Sequence, residues 1–180
     1  MVGMEIYKGH HGTCRSRAAA IKKNGFKPSG GRYGVAVYFW CKDPYSKMLA
    51  EDWWRFCCKD NRYAKEEDTG LAILGASLQV ASDAFLDLTK PEVARAIREA
   101  AAFQNVKKED AQAFIEQYID FEAKKRGGNL KLLKTQTSPP KKSKFPILLG
   151  APECYAVYDV FCIFEITEET PQTAPYSEVT

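Results

Sequence analysis

The sequence predicts a mixed α+β domain, because strand-like and helix-like compositions occupy separate parts of the chain. Runs of β-branched and aromatic residues lie toward both ends, at 35–40 and 155–166. The stretch 92–126 between them is rich in Ala, Glu and Lys. Strands that flank a helical middle suggest one domain with a helical insertion. A chain of 180 residues with 45% hydrophobic content is long enough for one core and too apolar for disorder. The expected organisation is a single domain over 1–168, with a helical insertion and basic connector over 91–144 and a polar tail over 169–180.

Residues 5–8 are apolar enough to open with a short strand. A helix is expected over 15–24, with Thr13 as N-cap, Lys22 and Lys23 in the last turn and Gly25 as the left-handed terminator. Residues 28–31 are expected to turn, and 35–40 to form a buried strand. Asp43 and Pro44 signal the next helix, as cap and first helical position, and that helix carries Met48, Leu49, Asp52, Trp53 and Phe56. Residues 71–80 have strand composition, and 84–88 suggest a short further strand. Two helices broken near Asn105 are expected over 92–126, with Phe114, Tyr118 and Phe121 as a packing stripe on the second. Gly127 and Gly128 end it. The segment up to Lys144, with Pro139 and Pro140, is expected to be a flexible basic connector. Strand composition returns at 145–149 and 155–166, and the polar tail from Thr167 is expected to fray.

Charge and cysteine content narrow the function classes. A net charge of +3 and a pI of about 8.4 are too mild to imply nucleic acid by themselves. The cations cluster locally, however, at Lys124, Lys125, Arg126, Lys131, Lys134, Lys141, Lys142 and Lys144. Such a stretch is either a solvated linker or an electrostatic guide for an acidic or nucleic-acid substrate. Six cysteines without metal-ligand spacing and only two histidines make a metal site an unfavoured expectation. No apolar run approaches the roughly 18 residues that cross a bilayer. No signal-peptide pattern opens the chain. A cytoplasmic protein with no membrane association is therefore expected.

The chemistry concentrates in the stretch YKGHHGTCRSRAAAIKKNGFKPSGGRYGVAVYFW, from Tyr7 to Trp40. It places His-Gly-Thr at a strand end, then a helix, then Gly25-Phe26, a glycine-containing turn and a Tyr-Phe pair on a strand. In this order the chain resembles the ADP-ribosyltransferases of the diphtheria-toxin and poly(ADP-ribose) polymerase type, which share a His-Tyr-Glu triad. The resemblance covers about the first sixty residues well and 152–166 less well.

The resemblance implies a split β-sheet fold, NAD as substrate, no metal, and a macromolecular acceptor, either protein or nucleic acid. It implies that His11 hydrogen-bonds a ribose hydroxyl of NAD, and that Gly12 and Thr13 line the same site. At Gly12 the backbone would approach the nicotinamide carboxamide. Tyr38 would form an aromatic wall for the nicotinamide and its ribose. Cleaving the nicotinamide–ribose bond builds an oxocarbenium-like centre, as glycoside cleavage does. The enzyme must then position NAD rigidly and place negative charge near the sugar.

Two positions depart from the family pattern. The second stacking aromatic has no counterpart in direct register, and Tyr45, Trp53 and Trp54 are the nearest candidates, Trp53 being the preferred one. The polymerases carry Glu-Tyr-Ile-Val-Tyr-Asp on a late strand, whereas this chain reads ECYAVYDVF from Glu153. Alignment on Tyr155, Val157, Tyr158 and Asp159 puts Cys154 where the glutamate belongs. Strand alternation points Glu153 to the other face, unless a bulge after Pro152 rotates it back. Glu153 is the expected catalytic carboxylate and Cys154 the fallback, with Glu165 and Glu122 as remoter options.

The resemblance implies mono-ADP-ribosyl transfer, as in compact toxin-like members of the family. NAD hydrolysis and a catalytically silent NAD-binding or ADP-ribose-binding module are the alternatives.

Overall fold

The computed structural model describes residues 3–146, 148 and 150–171. Among these, eight strands form one mixed sheet and four α-helices pack around it. In chain order they are β1 (Met4–Cys14), α1 (Arg15–Asn24), β2 (Ser29–Gly31), β3 (Gly34–Cys41), α2 (Ser46–Lys59), β4 (Leu71–Ala81), β5 (Phe85–Asp87), α3 (Pro91–Phe103), α4 (Ala111–Lys125), β6 (Leu132–Gln136), β7 (Glu153–Val157) and β8 (Ile163–Glu169). The sheet order is β5-β6-β7-β3-β1-β4-β8, with β2 paired to β3. All pairings are antiparallel except β5 with β6.

The sheet is nearly two sheets. On one side β1 runs along β4 for its whole length, from Met4↔Ala81 to Cys14↔Leu71. On the other side β3 pairs with β7 from Val37↔Val157 to Trp40↔Cys154. The halves join only at Gly9↔Cys41 and His10↔Trp40. Beyond His10 the strands β1 and β3 part, leaving a fork.

The main core lies on one face and buries Val37, Phe39, Leu74, Leu78, Val80, Leu132, Tyr155 and Val157. A smaller cluster on the other face holds Tyr33, Ala36, Leu86, Ile119, Leu133 and Ala156, with Tyr38 against it.

Several expectations need correction. The first strand extends to Cys14, and Cys14 rather than Thr13 precedes α1, with no side-chain cap. Gly25 does terminate α1 in the left-handed region (φ 77°), and its N–H bonds the Ile21 carbonyl. Residues 29–31 are a strand rather than part of a turn. The Asp43 carboxylate accepts the Tyr45 N–H, yet α2 starts only at Ser46. Asn105, with φ 51°, marks the break between α3 and α4. On α4, Phe114 is buried while Phe121 is 61% exposed, so the expected stripe is incomplete.

The basic connector is not a plain linker. It contains β6, whose Leu132 and Leu133 are fully buried between β5 and β7. Residues 145, 146 and 148 are not strand, and 147 and 149 lie outside the described residues. The stretch expected as one strand over 155–166 is interrupted by a single turn, Val160–Cys162, where the Asp159 carboxylate accepts the Phe161 N–H. Strand β8 then continues through Thr167 to Glu169, and tail residues 172–180 lie outside the described residues.

Candidate functional site at the fork

At the fork the His11 imidazole reaches the Tyr38 backbone, while the two side chains lie on opposite faces of the sheet, His11 with Phe39 and Leu74 and Tyr38 with Ala156. Where the β1–β3 ladder stops, His11 Nδ1 lies 2.8 Å from the Tyr38 carbonyl oxygen. A carbonyl can only accept, so Nδ1 carries the proton and donates, which leaves a lone pair on Nε2. Every buried side-chain polar atom among the described residues has a partner, and Nε2 has none there, so Nε2 is not wholly closed off from solvent. The ring is held on its flanks by Phe26, edge-on at 5.2 Å, and by Phe39 at 5.7 Å. Burial lowers the His11 pKa, opposed by the Tyr38 hydrogen bond, so the imidazole is neutral. A neutral, oriented imidazole with a free lone pair is built to accept a hydroxyl hydrogen bond.

Tyr38 is fixed as firmly. Its hydroxyl donates to the Gly34 carbonyl at 2.8 Å and accepts the Tyr33 N–H at 3.0 Å. Glycine is required at Gly31, where a Cβ would sit 2.4 Å from Tyr38 Cε2. The β2–β3 turn therefore grips the phenol end of the ring, which is half-buried.

Gly12 is constrained from an unexpected side. A Cβ there would lie 1.8 Å from the Ala50 carbonyl oxygen, so α2 rests directly on the strand. Thr13 is buried, and its hydroxyl bonds Tyr63. The adjacent His10 points to the α2 side, where its Nδ1 meets Ser46 Oγ at 2.8 Å.

Strand parity separates Glu153 from Cys154. Strand β7 pairs with β3 and β6 in unbroken register, through Trp40↔Cys154, Tyr38↔Ala156 and Gln136↔Glu153. The irregularity expected after Pro152 is absent from this ladder. Cys154 therefore shares the face of Tyr38 and Trp40, while Glu153 projects from the other face, the one on which His11 packs against Phe39. Glu153 makes an ion pair with Lys134 there, at 2.7 Å. Burial pushes the Cys154 thiol up to about 12, so the group on the Tyr38 face is neutral.

Of the remaining options, Glu165 accepts from the buried Ser77 hydroxyl on the β4–β8 side, and Glu122 pairs with Arg126 on α4. Neither belongs to a strand that borders the fork.

Trp53 does not join Tyr38. It packs beside Cys14, Cys57, Tyr63 and Phe56, with the Arg62 guanidinium 5.5 Å from its ring. Trp54 donates its indole N–H to the Thr69 carbonyl. Tyr45, at the start of α2, meets Phe145 edge-on at 5.5 Å.

Sequence reasoning left out Phe26 as a support of His11 and Trp40 as a neighbour on the Tyr38 face. Counting strand parity outward from Trp40 gives the second, and the Gly-Phe pair after α1 hints at the first.

A cavity of about 410 Å³ lies between the β2–β3 turn and α4. None of His11, Tyr38, Glu153 or Cys154 lines it, so it is not the fork site. Among the described residues no group of three His, Cys, Asp or Glu could hold a metal ion. No described helix is long and apolar enough to cross a membrane. Comparison with known protein families and with curated proteins returned no match to this chain.

Proposed function

We propose that the fork binds NAD and that the protein transfers a single ADP-ribose unit from it to a macromolecular acceptor, releasing nicotinamide. The observation that carries this is the hydrogen bond from His11 to the Tyr38 carbonyl, which lies at the end of the β1–β3 ladder and leaves Nε2 as the free acceptor. Nε2 would accept a hydroxyl of the NAD ribose, and the Tyr38 ring would bound the nicotinamide. The two-pair seam between the sheet halves fits the split sheet of ADP-ribosyltransferases. Six unpaired thiols fit the reducing cytoplasm.

Chemistry at the sugar needs an atom to attack C1 of the nicotinamide ribose as the bond to nicotinamide breaks. On the Tyr38 face β7 offers no carboxylate to steady the developing positive charge, because Cys154 is a neutral thiol. The acceptor nucleophile must then arrive largely ionised or bring its own base. Repeated chain extension is unsupported on that geometry, so transfer stops at one unit.

The same thiol favours a second reading, a binding module that holds NAD or ADP-ribose without cleaving it. Nicotinamide release from NAD, measured with and without cell lysate, separates the two. Lysate-dependent release with label on protein or nucleic acid supports transfer. Release without acceptor indicates hydrolysis. NAD binding without release supports the silent module, and no binding at millimolar NAD refutes the site. His11→Ala should weaken NAD binding in a protein that still folds.

A further inference from the structure

A cavity of about 270 Å³ lies on the outer side of α2 and is formed jointly by the helix and the β6–β7 loop. Arg55, Lys59, Lys141 and Lys142 line it, together with Phe56 and Asp52. Four cations thus converge on one recess with an aromatic ring in its wall.

Its carboxylates are already engaged. Asp52 is buried, accepts the Ser143 hydroxyl at 2.6 Å and lies 3.6 Å from Arg55. Asp60, at the rim, is paired with Arg62 at 2.7 Å. Lys59, Lys141 and Lys142 have no carboxylate partner within ion-pair distance among the described residues. The Arg62 guanidinium lies 5.1 Å from the Phe56 ring, which adds a fifth cation beside the aromatic.

The loop is set in place rather than trailing. Ser143 is pinned to Asp52, its N–H bonds the Pro140 carbonyl at 3.0 Å, and its hydroxyl accepts the Phe145 N–H. Between these anchors Lys142 holds a left-handed backbone, φ 66°, which non-glycine residues seldom adopt. A pinned, strained turn presents two adjacent lysines opposite Lys59.

We infer that this recess binds single-stranded nucleic acid, with the lysines on backbone phosphates and Phe56 against a base. Cations that track phosphates beside an aromatic that stacks bases are the two components of such sites. An acidic peptide would match the charge but has no use for the ring. The recess holds about one nucleotide, so neighbouring phosphates lie along its rim. Ala50, which touches Gly12 of the fork, is five residues from Arg55, roughly 7.5 Å along the helix. A strand gripped here would pass close to the fork, although binding stands whether or not the chain transfers ADP-ribose.

The test is anisotropy of a labelled single-stranded RNA 12-mer, and of its DNA counterpart, titrated with the full chain over a range of salt. The triple variant Lys59→Gln, Lys141→Gln, Lys142→Gln should bind at least tenfold more weakly near ~0.1 M salt, with a salt slope shallower by about 2. Gln at 142 keeps a non-glycine backbone, and an unchanged melting temperature shows that the fold is intact. The control Lys108→Gln, Lys124→Gln, Lys125→Gln removes equal charge from α4 and the turn before it, and should bind like wild type. Phe56→Leu should weaken binding severalfold without changing the slope. Equal losses in both triple variants, no binding by wild type, or tighter binding of a polyglutamate peptide would each overturn the proposal. Oligonucleotide binding that persists in a chain without NAD turnover leaves this site standing and retires the transferase.

Discussion

Gly12→Ala puts a methyl group into the backbone of α2. The new Cβ would lie 1.8 Å from the Ala50 carbonyl oxygen, 2.5 Å from its carbon and 3.0 Å from its Cα. Ordinary contact begins near 3.4 Å, so the helix must retreat from β1 by about 1.6 Å. A carbonyl cannot rotate aside as a side chain can. Leu49 and Ala50 on the same helix are 1% and 0% exposed, so the retreat also opens their packing.

Overpacking usually costs about 1–3 kcal/mol, and a backbone obstacle belongs at the top of that range. For a domain of this size about 3 kcal/mol lowers the melting temperature by roughly 6–12 °C. Gly75→Ala is the control. Its nearest neighbours are Glu169 Oε1 at 2.8 Å and Thr167 Oγ1 at 3.1 Å, both on side chains that can move. Moving Glu169 weakens its ion pair with Lys47, a part-exposed contact worth about 0–1 kcal/mol. Thermal unfolding of both variants by circular dichroism decides the matter. A Gly12→Ala melt within a degree of wild type, or an equal fall in Gly75→Ala, would refute the reasoning.

Three further outcomes can be checked. Burial lowers the pKa of both His10 and His11 below the ordinary 6.5, so the unfolded chain binds more protons just below that value. Stability is therefore full above about pH 6.5 and falls as the medium is acidified, before the depressed carboxylates Asp159 and Glu169 are lost below about pH 4.5. His11→Gln should flatten the upper part of that melting profile, and an unchanged profile in a His10→Gln, His11→Gln double variant would exclude the histidines as its source. Cys58 alone among the six thiols is not fully buried, so native iodoacetamide labelling read by mass spectrometry should reach it first; rapid labelling of Cys154 would contradict a neutral, buried thiol. Glu153→Gln should cost no more than about 1 kcal/mol, since its partner Lys134 is a partly exposed contact, and should leave nicotinamide release unchanged while Lys134 holds it; an orders-of-magnitude loss of turnover would place Glu153 in the site.

Much of the fold was legible wherever one local signal dominated. The run at 71–80 emerges as β4 because its apolar residues are buried on both faces. Gly25 stops α1 through its left-handed backbone, and Asn105 separates α3 from α4 in the same way. Strand β6 was not legible. Its sequence LLKTQ lies between Lys131 and a Pro-Pro pair, and only pairing with β5 on one side and β7 on the other makes it a strand. The break after β7 was hidden for the opposite reason. Residues 155–166 are uniformly strand-forming, and a single cap at Asp159 interrupts them. Trp53 was misplaced because helix spacing alone does not say which neighbour a face will meet. Its partners Cys14 and Tyr63 come from β1 and the segment after α2.

The site itself depends on a parity that one residue would reverse. Along β7 the sheet assigns Cys154, Ala156 and Tyr158 to one face and Glu153, Tyr155 and Val157 to the other. The second set includes Tyr155 and Val157 of the main core, and a one-residue slip would exchange those two for Cys154 and Ala156. It would also send Glu153 to the Tyr38 side of the sheet, away from the face on which His11 packs against Phe39. The core therefore holds the register that keeps Glu153 on the face of Tyr155 and Phe39. Removing Tyr155 and Val157 from the main core would forfeit about 1.5–3 kcal/mol for each large apolar side chain exposed, more than local turn preferences at Pro152 can offset. The thiol of Cys154 thus faces the Tyr38 side as a consequence of strand register under a buried face, and placing a β7 carboxylate on that side requires replacing Cys154 itself rather than moving Glu153.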